Sequence, residues 1–175
     1  MTTLHIKRLV PQAQLPHRAT ELAAGLDVRA CLHSRTVKVW REEERMFGRD
    51  TVELNEPVMS VGTVTLYPGD RALVPTGLAM RAAPGYCIKF YPRSGLSLKQ
   101  GLTLINCVGV GDEDYEQEYF VTLVNHSGAV QSIADGMRLC QLMVERVEPV
   151  EIIECDDLPA VQSDRQGGFG SSGVA

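Results

Sequence analysis

Apolar and polar residues alternate along most of this chain in short runs. Such runs occupy residues 4–10, 64–67, 71–80, 86–91, 101–105, 119–125, 137–144 and 150–153. A period of two marks strands with one buried face. Turn formers separate the runs: Pro68-Gly69-Asp70, Pro84-Gly85, Asn125-His126-Ser127-Gly128 and Asp135-Gly136. No long amphipathic helix stands between them to make βαβ crossovers, so the pattern predicts an all-β barrel or sandwich.

Two segments break this rhythm. Residues 35–60 form a charged excursion that includes Trp40, Arg41, Glu42, Glu43, Glu44 and Arg45. Residues 36–40 and 51–55 alternate like the legs of a hairpin, with the charged residues at its tip; a short exposed helix at the tip is the other reading. Either way the segment reads as a solvated excursion, and Trp40 beside alternating charges also suits a surface for a protein partner. The second break is the tail, residues 162–175, whose Gly167, Gly168, Gly170 and Gly173 oppose independent order. The expected organisation is one domain over residues 1–161 and a flexible arm over 162–175.

Composition narrows the function. A chain of 175 residues with 44% hydrophobic content suits a single domain with its own core. No apolar run reaches the roughly 18–20 residues of a membrane span, and MTTLHIKRLV lacks a secretory signal's apolar stretch. A soluble, cytoplasmic protein is expected. Five cysteines, Cys31, Cys87, Cys107, Cys140 and Cys155, form no CxxC pair and read as buried free thiols. The four histidines show no HxH or HExxH spacing, which argues against a protein-only zinc site. A net charge of −5 without a basic run argues against polymeric nucleic acid. A phosphate ligand would need local help from a few arginines, backbone N–H groups and a divalent cation.

Three segments carry such chemistry. In PRSGLSLKQG, residues 92–101, Arg93 offers a fork of donors, Ser94 a hydroxyl and Gly95 an open backbone, a combination suited to a polyphosphate. In the tail, Arg165 precedes GGFGSSG, where Phe169 has no core to join and suits stacking on a flat ligand, while Gly170, Ser171 and Ser172 expose donors. The acidic stretch NCVGVGDEDYEQE, residues 106–118, reads as a hairpin arm. Its Asp112 follows two glycines, Gly109 and Gly111, and an ionised carboxylate can take a proton from a positioned water.

These segments, with AAGLDVRA around Asp27 and GMRLCQL around Arg138 and Gln141, resemble the five ordered motifs of the trimeric dUTPase family. The likeness runs from Leu15 to Gly173; the excursion at 35–60 is the one large segment outside it. The resemblance implies a distorted jelly-roll β-barrel. It implies a homotrimer with shared active sites and Mg²⁺-dependent hydrolysis of dUTP to dUMP and pyrophosphate, which keeps uracil out of DNA and supplies dUMP for thymidylate. By resemblance, Asp112 activates the attacking water, and Tyr115 packs under the deoxyribose and leaves no room for a 2′-hydroxyl. Asn106, Gly109 and Val110 read uracil; Arg93, Ser94, Gly95 and Gln141 hold the phosphates. Asp27 lies near the metal-bound triphosphate, acting on the ion through water. Phe169 covers uracil when the tail closes, Arg165, Ser171 and Ser172 complete the γ-phosphate contacts, and Gly170 between them also binds substrate.

Some positions depart from the family pattern. Gly111 stands where a branched aliphatic is usual, which implies a looser hairpin. Glu116 and Gln117 replace an Arg-Gly pair, Arg165 stands one residue nearer to Phe169, and Cys140 replaces an alanine. Two rival readings are a catalytically weakened regulatory protein on the same fold and a dCTP deaminase relative. Asp112, Tyr115, Arg93 and Phe169 favour the hydrolase.

Overall fold

The structure, a computed structural model, describes residues 2–45, 48–53, 58–60 and 62–162. The alternating runs become antiparallel strands. The order is β1 (Leu4–Arg8), β2 (Leu26–Arg29), β3 (Arg35–Arg45), β4 (Gly48–Glu53), β5 (Val58–Ser60), β6 (Thr63–Leu66), β7 (Arg71–Pro75), β8 (Leu78–Ala82) and β9 (Tyr86–Pro92). The helix α1 (Ser94–Gln100) follows, then β10 (Leu102–Leu104), β11 (Gly109–Gly111), β12 (Phe120–Asn125), β13 (Gln131–Ala134) and β14 (Arg138–Arg146). One sheet has the order β10-β12-β7-β3-β4, with β5 also on β3; a second has the order β11-β9-β14-β2; β1-β8 and β13-β6 are pairs. Inward residues such as Val28, Leu66, Val74, Leu123, Ile133 and Leu142 are fully buried and form one core. The all-β class is therefore as the sequence pattern predicts.

Several details differ from expectation. The run 71–80 is two strands, because Thr76 and Gly77 turn the chain between β7 and β8. Gly77 has φ +71°, and a Cβ there would lie 2.7 Å from the Ala13 side chain, so only glycine fits. Residues 150–153 are no strand: Val150 and Ile152 are 79% and 92% exposed. The segment after β9, read as a phosphate-suited turn, begins a seven-residue helix whose Leu96 plugs the core. Of the five cysteines, Cys31, Cys87 and Cys140 are buried, whereas Cys107 and Cys155 are exposed, because the loop and tail that carry them pack no apolar face.

The excursion is a hairpin. β3 and β4 pair from Trp40↔Glu53 to Arg45↔Gly48, so residues 41–45 are strand and not helix; positions 46–47 lie outside the described residues. Its stem belongs to the sheet. Val37 and Val39 are buried, and β3 pairs β7 through Lys38↔Leu73, Val39↔Ala72 and Trp40↔Arg71. The Asp70 carboxylate, 1% exposed, accepts from Arg41 Nε at 2.9 Å, Arg41 Nη2 at 2.7 Å and the Tyr67 N–H at 2.9 Å. Arg41 also lies 4.4 Å over the Tyr67 ring, a part-exposed cation–π contact that, with the buried Asp70 pair, pins the stem to the β6–β7 turn.

Candidate active site

Two groups of chemically capable side chains meet the sheet β11-β9-β14-β2 from different directions. The first surrounds the turn after β11. Gly109 pairs with Phe90 and Gly111 with Ile88, so the sheet edge fixes where the backbone leaves for Asp112. The Tyr115 N–H then donates to the Asp112 carbonyl at 3.3 Å, closing a turn that sets Asp112 and Tyr115 on one rim. Asn106, Gly109, Val110, Asp112 and Tyr115 line a single cavity of about 320 Å³, together with Leu73, Phe90, Gly111, Tyr119 and Phe120. The Asn106 Oδ1 accepts from the Thr122 hydroxyl, leaving its amide nitrogen as the free donor end. A flat ring fits such a slot, between apolar walls and an edge of main-chain groups.

Gly111 does not loosen this hairpin. A Cβ built on it would lie 2.5 Å from both Cε1 and the hydroxyl of Tyr119, and 2.9 Å from Cζ. The tyrosine ring takes the space an aliphatic side chain would have used. Tyr119 is 6% exposed and packs edge-on against Tyr115, centroids 4.9 Å apart at 69°, and tilted against Phe90 at 5.4 Å. Its hydroxyl finds no hydrogen-bond partner among the described residues. Burial pushes the phenol up to about 12, with the neighbouring Tyr115 and Asp112 adding to the shift. It is a neutral donor at any working pH.

The second group centres on Asp27, 2% exposed in β2. Its Oδ1 accepts from Arg93 Nε and its Oδ2 from Arg138 Nη1, each at 3.0 Å. Burial alone would raise this carboxyl, but the hydrogen bond and charge of Arg138 and of Arg93 outweigh it and hold the group below its ordinary value. Arg93 stands where β9 passes into α1, with extended backbone at φ −92°, ψ 122°. The register slips between Arg138 and Cys140, and such a bulge re-aims a side chain. Two cations are thus fixed by one buried anion, while 23% and 41% of their side-chain surfaces remain open.

Gln141 lies opposite Asp27 on one side and Tyr91 on the other, so it shares their face of the sheet. Ser94 and Gly95 are exposed in the first turn of α1. Sequence reasoning named Arg138 with Gln141 in the segment 136–142 but gave a role to Gln141 alone. The signal was an arginine in a strand whose partner strand carries a buried carboxylate. Tyr119 and Phe90 were missed as well, because each reads as an ordinary core residue.

The expected site residues do not all converge. Asp27, Arg93, Ser94, Gly95 and Gln141 line none of the 320 Å³ cavity. Arg165, Phe169, Gly170, Ser171 and Ser172 lie outside the described residues. Glu116 does not stand as a bare negative charge, since it is ion-paired with Arg81. The Cys140 thiol, wholly buried and pushed up to about 12 by that burial, is a packing residue. A larger groove, about 830 Å³, runs along β1 and β8 and touches the first cavity through Tyr115. Among the described residues no helix is long and apolar enough to cross a membrane, and no three His, Cys, Asp or Glu side chains gather to hold a metal.

Comparison with known proteins bears on this geometry. The dUTPase family model matches residues 58–173. The deoxyuridine 5′-triphosphate nucleotidohydrolase of Bartonella bacilliformis is 38% identical over 171 residues, covering 91% of this chain and 82% of its own. That of an Anaeromyxobacter species is 37% identical over 163 residues, covering 93% and 90%. That of Finegoldia magna is 44% identical over 111 residues, covering 63% and 76%. Among solved structures, a mutant Staphylococcus bacteriophage 80alpha dUTPase with dUpNHpp superposes with a TM-score of 0.73 at 21% identity, over 98% of this chain and 99% of that one. A mutant dUTPase from phage phi11 of S. aureus, described with a structural Mg(II) ion, gives 0.67 at 19%, over 90% and 99%.

Proposed function

This chain belongs to the dUTPase family, and from that membership we propose how its own residues hydrolyse dUTP to dUMP and pyrophosphate. The observation that carries the reading is the cavity in which Asn106, the 109–111 backbone, Asp112 and Tyr115 stand together. Uracil enters edge-first against the β11 backbone and Asn106, whose donors and acceptors match its edge and mismatch cytosine's amino group. Deoxyribose lies on Tyr115, which leaves no room for a 2′-hydroxyl. Asp112 on the same rim takes the proton of a water that attacks the α-phosphorus, and pyrophosphate leaves. Arg93, fixed by Asp27, offers its fork to the phosphates with Ser94, Gly95 and Gln141.

Magnesium fits this site as a passenger of the triphosphate and not as an ion in a protein cage. The two oxygens of Asp27 are engaged by Arg93 and Arg138, so its influence on the ion runs through water and through Arg93. A bound ion would supply positive charge against the triphosphate, with Asp27 acting on it through water. The tail, with Arg165, Phe169, Gly170, Ser171 and Ser172, closes over the bound nucleotide, its ordering cost offset by ligand contacts.

A homotrimer with shared sites belongs to the same reading. In one chain the nucleoside cavity and the arginine pair do not line a common space, and Val150, Ile152 and Leu158, 79%, 92% and 87% exposed, extend past β14 without a surface to cover. Analytical ultracentrifugation showing a stable monomer would exclude it. A cytoplasmic location suits the five free cysteines.

The test is pyrophosphate release from dUTP, dCTP, dTTP and UTP at equal concentration, with Mg²⁺ and with a chelator. Chelator-sensitive turnover of dUTP alone is the expected result. Binding of dUTP without turnover would point instead to a regulatory protein, and ammonia release from dCTP to a deaminase.

A further inference from the structure

We propose that Tyr119 is a positioning residue that determines sugar specificity, by fixing the Tyr115 ring against which the deoxyribose packs. The inference rests on the reading of Tyr115 given above. Tyr115's own hydrogen bonds stay within its turn: the N–H donates to Asp112 at 3.3 Å and the hydroxyl to the Glu118 carbonyl at 2.9 Å. The hydroxyl bond ties only the tip of the ring, through Glu118, whose carboxylate accepts from the Gly77 N–H and from Arg35. The body of the ring rests on its edge contact with Tyr119, which is itself held in place because Phe90 backs its ring and its main chain is hydrogen-bonded on both sides. The Thr76 hydroxyl donates to the Tyr119 carbonyl at 2.6 Å, and the Tyr119 N–H donates to Leu78 at 2.8 Å.

The same ring lies against Gly111, the residue before Asp112. The sugar-facing residue and the carboxylate therefore rest on one buried side chain. Any side chain at position 111 would collide with this ring. Gly111 and Tyr119 are thus a matched pair, and the ring that fills the space at 111 is the one that supports Tyr115. A steric filter against one added hydroxyl works only if its wall cannot yield, so rigidity behind Tyr115 enters the dUTP-to-UTP ratio directly.

The experiment measures kcat/KM for dUTP and UTP in the full-length protein and in Tyr119→Phe, Tyr119→Leu and Gly111→Val/Tyr119→Leu, with Tyr115→Ala alongside. Tyr119→Leu should lower the dUTP-to-UTP ratio by about tenfold, the order expected from losing one aromatic contact, through a higher KM for dUTP and a gain on UTP. Tyr119→Phe keeps the ring and should restore the wild-type ratio. Gly111→Val/Tyr119→Leu should recover the thermal midpoint but not the ratio, and it stands in for Tyr119→Leu if that variant does not fold. A merely structural Tyr119 would slow both nucleotides alike, so an unchanged ratio in the leucine variants overturns the proposal. If Tyr115→Ala keeps full discrimination while Tyr119→Leu loses it, the Tyr115 reading is what has failed.

Discussion

Replacing Asp27 by asparagine tests whether one buried carboxylate holds both Arg93 and Arg138 in place. The substitution keeps the shape and removes the charge. One amide oxygen can still accept from one arginine, but the amide nitrogen then faces the donors of the other. Breaking a fully enclosed ion pair costs about 3–5 kcal/mol. Here Arg93 and Arg138 keep 23% and 41% of their side-chain surface open and can partly rehydrate, which brings the expected loss to about 2–3 kcal/mol. A protein of this size loses about 2–4 °C of melting temperature per kcal/mol, so the midpoint should fall by roughly 4–12 °C at pH 7.

Proton linkage gives that loss a pH signature. The Asp27 carboxyl is held below its ordinary value of 3.8 in the folded state. Its contribution is therefore complete above that value and disappears as pH falls through the lower folded value. Asp27→Asn has no such group, so wild type and variant should differ fully at pH 7 and converge in acid. Thermal denaturation across pH 3 to 7 reads this directly, and dUTP kinetics should show KM rising more than kcat falls as Arg93 loses its anchor. Equal midpoints at pH 7, or a gap that does not narrow in acid, would refute the anchoring role.

Asp112→Asn should bind dUTP nearly as the wild type does and lose turnover by at least about a hundredfold, the lower bound for removing a general base; a variant keeping most of its turnover excludes Asp112 from that role. Gly111→Ala places a methyl within 2.5 Å of the Tyr119 ring and should cost about 1–3 kcal/mol in urea unfolding, a loss that Tyr119→Leu in the same chain should largely relieve. Additive losses would mean the two positions are not coupled. Ending the chain after Asp164 should cripple dUTP turnover while leaving the melting temperature of the domain in place; full activity in the truncated chain would remove tail closure from the mechanism.

The strands were legible because a period of two survives in any strand with one wet face, as in β6, where Val64 and Leu66 are buried and Thr63 and Thr65 exposed. The run 150–153 carries the same composition, yet apolar content alone does not create a partner for it. The short helix α1 escaped notice because seven residues give too few turns for a period to show. Within the site, Asp112 was legible as chemistry, and Tyr115 and Asp27 only through the family resemblance. Their supports were not, since Arg138 lies 111 positions from Asp27 and nothing local announces the pairing.

Gly111 shows why this matters for the question of activity. Read locally, a glycine before the proposed base means a slack turn, and slackness would favour a weakened regulatory protein. The space is in fact filled from eight residues downstream, by a ring clamped through Thr76, Leu78 and Phe90. Glu116 likewise faces Arg81, although an exposed pair of this kind adds little stability. A site drifting out of use loses side chains without refilling the volume they leave, because nothing selects the complement. Here the space beside Gly111 is filled by the Tyr119 ring, which also packs against Tyr115. That pairing argues for a site whose geometry is still constrained by turnover.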